Sequence, residues 1–145
     1  YDLGAGGGYE DFHINSAKLH NLPIRKMSKL TEAMMRSIDF EAVKEQRWKN
    51  FRVLHAGLVN CNDLYIPEIE TFACPMVYPY LCKDMNLKSF LIDNKVFVAT
   101  YWPNVLDWCQ VDMLEYQLAN SIIAIPIDQR FVEEDMDRII RLIKK

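Results

Sequence analysis

The sequence predicts a mixed α/β chain of the α+β kind: a small sheet of three to four strands, covered by helices and preceded by a long helix pair. Three observations predict it. The run Ile122-Ile123-Ala124-Ile125 is short, apolar and β-branched, and Pro126 ends it, which is the pattern of a buried strand. Beyond Asp128, Val132, Met136, Ile139, Ile140 and Ile143 recur with helical spacing, forming one apolar stripe. Upstream, two more short apolar runs, at 72–81 and 96–100, alternate with segments of helical period.

The elements follow in order. Residues 1–22 read as an irregular arm, with Gly4, Gly6, Gly7 and Gly8 at its start and 9–20 either a short helix or extended. The glycine run lacks the third glycine of a dinucleotide fingerprint and the Gly-Lys-Ser/Thr ending of a P-loop, so a hinge or linker is the better reading. Residues 23–145 form the folded domain. Pro23 and Ser28 open a helix whose apolar face is Leu30, Met34, Met35 and Ile38. Asp39 re-caps a second helix over 40–58, with Phe40, Val43, Trp48, Phe51, Leu54 and Leu58 set against charged positions.

Residues 60–71 read as a loop. Pro75 and Pro79 cannot donate ladder hydrogen bonds, which places the 72–81 strand at a sheet edge. A helix over 85–94, a strand over 96–100 and a helix over 112–120 lead to the closing strand and helix. Glu133, Glu134 and Asp135 at the start of that helix, with Arg141, Lys144 and Lys145 at its end, oppose the macrodipole.

Composition bounds the function. The 145 residues make one domain or a large piece of one, and half of them are hydrophobic, enough for a sizeable core. The 17 basic and 20 acidic side chains form no long run of one sign, so neither nucleic acid nor a membrane surface is an expected partner. Cys61, Cys74, Cys82 and Cys109 show no metal-binding spacing and read as buried free thiols, which implies a cytoplasmic protein. The chain opens on Tyr1, which reads as a boundary or a cleavage point.

His13, His20 and His55 are scattered, and no metal site is expected. The carboxylates Asp39 with Glu41, and Glu133 to Asp135, sit where capping explains them. No nucleophile signature appears, so no catalytic residue is assigned. Tyr101-Trp102-Pro103, at the carboxyl end of a strand, suits the mouth of a substrate cleft, and equally two aromatics capping the core edge. Arg25 and Lys26 before a helix suit an anionic group, although such exposed bases are usually only solvated.

Several of these residues carry a family resemblance. Pro126-Ile127-Asp128-Gln129-Arg130-Phe131, followed by Glu133-Glu134-Asp135-Met136, resembles the C-terminal signature of the DegT/DnrJ/StrS-type sugar aminotransferases, pyridoxal-phosphate enzymes of the aspartate-aminotransferase fold. Lys26-Met27-Ser28-Lys29-Leu30 looks like that family's Arg-Met-Ser-Glu-Leu segment, and Arg47 with Asn50 is similar to its interdomain-helix pattern. The likeness runs from about residue 22 to the end.

What the resemblance implies is a C-terminal small domain that packs on a separate, N-terminal cofactor domain and helps form a homodimer. Met27, Ser28, Arg47, Asn50, Asp128, Gln129 and Arg130 are then structural motif positions. Tyr101 and Trp102 border the substrate entrance, and Arg25 and Lys26 are phosphate contacts. Pyridoxal phosphate is expected in the full-length protein and no cofactor in this chain, because no lysine before Met27 stands in the Schiff-base context. Ile24 and Lys29 depart from the family's asparagine and acidic residue. The alternative is an interaction or oligomerisation domain that kept the fold and lost the activity.

Overall fold

A computed structural model describes residues 8–19, 22–67 and 73–145, apart from the side chain of Tyr9. The chain divides between Ile38 and Asp39 into two units. The glycines at 4, 6 and 7 lie outside the described residues.

The first unit holds α1 (Tyr9–Leu19) and α2 (Lys29–Arg36). Ser28 caps α2 as its sequence position implied, its Oγ accepting from Thr31 N at 3.0 Å. Glu32 and Arg36 pair one turn apart at 2.6 Å. The expected apolar face of α2 is exposed: Leu30 and Met34 are 72% and 62% accessible, and nothing on the helix is buried.

The second unit is built on α3 (Phe40–Leu58), capped by the Asp39 carboxylate accepting from Ala42 N at 3.0 Å. A 3-10 turn (Val59–Cys61) continues it. There follow β1 (Val77–Tyr80), α4 (Leu87–Asp93), α5 (Val105–Trp108), α6 (Leu114–Ser121), β2 (Ile123–Pro126) and α7 (Glu133–Ile143). The chain is therefore mixed helix and strand, as the sequence implied.

The sheet is smaller than expected. Among the described residues it has two antiparallel strands, with Tyr78 opposite Ile125 and Pro79 opposite Ala124. The expected strand over 96–100 pairs only through an isolated bridge, Ala99 to Ala124. Continuing that register would set Phe97 opposite Pro126, which has no N–H to give, and beyond the bridge Trp102 turns left-handed at φ 52°. Both ends of the third ladder are thus cut. β1 lies at the sheet edge, where the missing N–H of Pro79 costs little.

Period-two alternation gives the sheet two different faces. Tyr78, Tyr80, Ile123 and Ile125 point into the core, where they meet Trp48, Phe51, Leu54 and Leu58 of α3 and Met136 and Ile139 of α7. Leu87, Leu91, Val96 and Val98 complete that core. Helices α3 and α7 pack on each other, and Gly57 allows the approach. A β-carbon there would lie 2.9 Å from Ile140 Cγ1 and closer still to its Cδ1.

Three further expectations are corrected. Val132 is the N-cap of α7 and is exposed, so it leaves the apolar stripe; Asp135 turns back to accept from Val132 N at 3.0 Å. Phe40 is also exposed, because it begins α3 beyond the reach of the core. The cysteines are unpaired but not buried: Cys61 and Cys74 are exposed, Cys82 and Cys109 half-buried, since all four lie in turns or loops.

Candidate functional site

The second face of the sheet carries Val77, Pro79 and Ala124, and they form the floor of a cavity of about 670 Å³. Trp48 and Phe51 wall it from α3. Val105 comes from α5, and Glu115, Leu118 and Ala119 from α6. Tyr101 and Trp102, expected at a cleft mouth, both line it. Their rings are tilted against each other with centroids 5.8 Å apart. The volume lies in the range of small-molecule sites.

The walls are locked in place. Trp48 donates its indole N–H to Ala73 O at 2.8 Å and meets Phe51 edge-on at 5.4 Å. Phe51 in turn meets Tyr78 at 5.1 Å. Trp102 holds a left-handed backbone, which a bulky residue rarely adopts, and the turn that follows is closed by Val105 N donating to Trp102 O at 2.9 Å. Pro103 fixes the next position. Trp102 itself remains 70% exposed, standing at the rim.

A separate polar cluster holds the motif residues. Asn50 is fully buried. Its Nδ2 donates toward Ile127 O, Asp128 O and Phe131 O at 3.3, 3.1 and 3.1 Å, and its Oδ1 accepts from Gln46 Nε2 at 3.0 Å. Arg47 Nε donates to Gln129 Oε1 at 3.3 Å, and its Nη1 to Pro75 O at 3.3 Å. Arg130 grips Asp128 through Nε and Nη2, both at 2.9 Å. That grip holds the Asp128 carboxyl below the usual carboxylate range.

Arg47, Asn50, Asp128, Gln129 and Arg130, far apart in sequence, are therefore one hydrogen-bonded joint between α3 and the turn after β2. Met27 and Ser28 belong to the first unit, where Ser28 is the α2 cap. Arg25 and Lys26 are also there, both exposed and with no side-chain partner among the described residues. None of these four lines the cavity.

Around the cavity, α5 went unforeseen. Its four residues are too few to show a period, yet they supply Val105. Trp48 and Phe51 stood in the apolar stripe of α3, but nothing in that stripe separates a core residue from a cavity wall. Glu115 and Ala119 were legible only as parts of a short helix. Among the described residues no group of three or more histidine, cysteine or carboxylate side chains is placed to hold a metal ion, and no helix is long and apolar enough to cross a membrane. No protein-family model matches the chain, and no curated protein matches it.

Proposed function

We propose that this chain is the C-terminal small domain of a sugar aminotransferase-like protein, whose partner domain carries pyridoxal phosphate and transfers an amino group to a keto sugar nucleotide. The observation that carries this reading is the joint around Asn50. The two motif segments that resemble the family, on α3 and after β2, bind one another through Arg47, Asn50, Asp128 and Gln129. A joint of this kind positions a small domain on its connecting helix. The finer fold, a sheet of three to four strands, belongs to the same reading, with the Ala99 bridge as the remnant of a third strand.

The residues around the cavity do not fit the cofactor itself. No lysine, arginine or histidine stands among its described walls, so nothing there would hold a phosphate. In this reading the cofactor is held by the partner domain. Tyr101 and Trp102 border the substrate entrance, and Arg25 and Lys26 are the candidates for a phosphate contact. The exposed apolar residues of α2 point to a homodimer.

Expression of the natural reading frame that contains these residues tests this. The protein should bind pyridoxal phosphate stoichiometrically, aminate a keto sugar nucleotide from an amino-acid donor, and sediment as a dimer. The 145-residue chain alone should bind no cofactor. A full-length protein that binds none would replace this reading with that of a non-catalytic interaction domain.

A further inference from the structure

The cavity walls are chemically one-sided. Trp48, Phe51, Tyr101 and Trp102 supply aromatic surface, and Val77, Pro79, Leu118 and Ala119 supply aliphatic surface. Glu115 is the one charged side chain among the described walls; it is exposed and has no hydrogen bond or ion pair among the described residues. The Trp48 N–H is spent on Ala73 O. What remains for a ligand is the Glu115 carboxylate, the Tyr101 hydroxyl and the Trp102 N–H.

The surrounding charge has the same sign. Between Lys95 and Arg130 the sequence contains no lysine, arginine or histidine, and its acids are Asp107, Asp112, Glu115 and Asp128. Asp128 is already gripped by Arg130, at 2.9 Å. Four cations of α3 lie within four residues of the wall residue Trp48 in sequence, and Lys44, half-buried, is not itself a wall residue. Arg47 is held by Gln129 and Pro75, and Lys49 pairs with Glu133 at 3.3 Å. Arg52 sits over the Trp48 ring, 5.7 Å from its centroid, and is not a wall residue.

Such a site discriminates by what it leaves unpaired. A sugar would bury several hydroxyls against hydrocarbon, each unpaired one costing roughly tenfold in affinity. A phosphate or carboxylate would meet Glu115 with no cation to balance it. An apolar body with one ammonium group meets neither difficulty. Its body replaces water on the aromatic walls, and its charge finds a carboxylate and the faces of tryptophan and tyrosine.

We infer that the cavity between β1, α3, α5 and α6 is a binding site for an apolar amine, such as an arylalkylamine. This goes beyond the aminotransferase reading and does not rest on it, since every described wall belongs to this chain and neither cofactor nor partner domain is needed.

Calorimetric titration of the 145-residue chain with 2-phenylethylamine, 2-phenylethanol and 3-phenylpropionate tests it. The amine should bind tightest, the alcohol roughly 2–5-fold more weakly, and the carboxylate weakest. Glu115→Gln should bring the amine down to the level of the alcohol and leave the alcohol unchanged. Ala119→Phe narrows the cavity and should weaken binding of all three while the circular-dichroism spectrum is retained; if it unfolds, Val105→Trp makes the same test from α5. Equal affinity for amine and carboxylate, amine binding indifferent to Glu115→Gln, or binding of all three unchanged in the folded narrowed variant would each overturn the assignment. So would a keto sugar nucleotide that binds the isolated chain as tightly as the amine.

Discussion

Replacing Asn50 tests whether the joint between α3 and the turn after β2 holds the second unit together. The buried amide presents two N–H groups to three carbonyls, 3.1–3.3 Å away, and accepts one bond from Gln46. Asn50→Ala removes about three hydrogen bonds at about 1 kcal/mol each, so the expected loss is about 3 kcal/mol. Part of this is softened, because Asp128 O keeps the Phe131 N–H at 3.1 Å and Phe131 O keeps Gln46 Nε2 at 3.1 Å. With a urea slope of about 1.5 kcal/mol/M, the midpoint should fall by roughly 2 M. Trp48, two residues away on the same helix, reports the transition by fluorescence.

Asn50→Asp sharpens the test, because it keeps the shape and reverses the chemistry. A carboxylate facing three carbonyls is disfavoured, so its folded pKa rises above the unfolded value of about 4. This variant is then at its most stable relative to wild type below pH 4, where its one O–H still donates, and loses stability as pH rises through the folded pKa. The gap between the two proteins should widen from acid to neutral pH. A loss below about 1 kcal/mol in Asn50→Ala, or a gap in Asn50→Asp that does not change with pH, would refute the reasoning.

Two further outcomes follow from the packing and from the ion pair. Gly57→Ala drives a methyl into Ile140 and should destabilise the second unit by about 1–3 kcal/mol in urea denaturation. Ile140→Ala in the same chain should recover part of that loss, whereas strictly additive effects would show that the two residues do not meet. Asp128→Asn loses the grip of Arg130. Because the folded pKa of Asp128 is lowered, its contribution is present above the unfolded value of about 4 and vanishes as pH falls through the folded one. Denaturation followed from pH 7 to pH 2 should therefore show wild type and variant converging in acid; a constant gap would count against the pairing.

What could be read beforehand follows from how local the signal is. The 40–58 helix was legible to the residue, because Asp39 caps it and nineteen residues of period leave little choice. The strand at 122–125 and the helix after it were legible for the same reason. The run at 96–100 misled because burial and pairing are different things. Val96 and Val98 are buried as a strand's would be, but Phe97 between them would face Pro126, which has no N–H to give. The four exposed or half-exposed thiols misled because small apolar residues were assumed to be interior, and no pattern in a sequence says which loop is covered. Of the candidate residues, Tyr101 and Trp102 do line the cavity, where the left-handed backbone of Trp102 and the proline after it fix them. Arg25 and Lys26 belong to the other unit.

The cavity itself has a faint trace in the sequence. A strand with one buried face alternates, but β2 reads Ile-Ala-Ile with no polar position, and all three are buried. Continuous apolar runs of this kind belong to strands covered on both sides. The core face of β2 is closed by α3 and α7. On the other face Ala124 is too small to reach across to α6, Pro79 beside it has no long side chain, and the cover from α5 and α6 stands off. The gap is therefore bounded by residues that are apolar for the sheet's sake and short at its centre. A longer side chain at Ala124 would close it, and that shortness at a doubly covered strand is what separates a ligand cavity from more core.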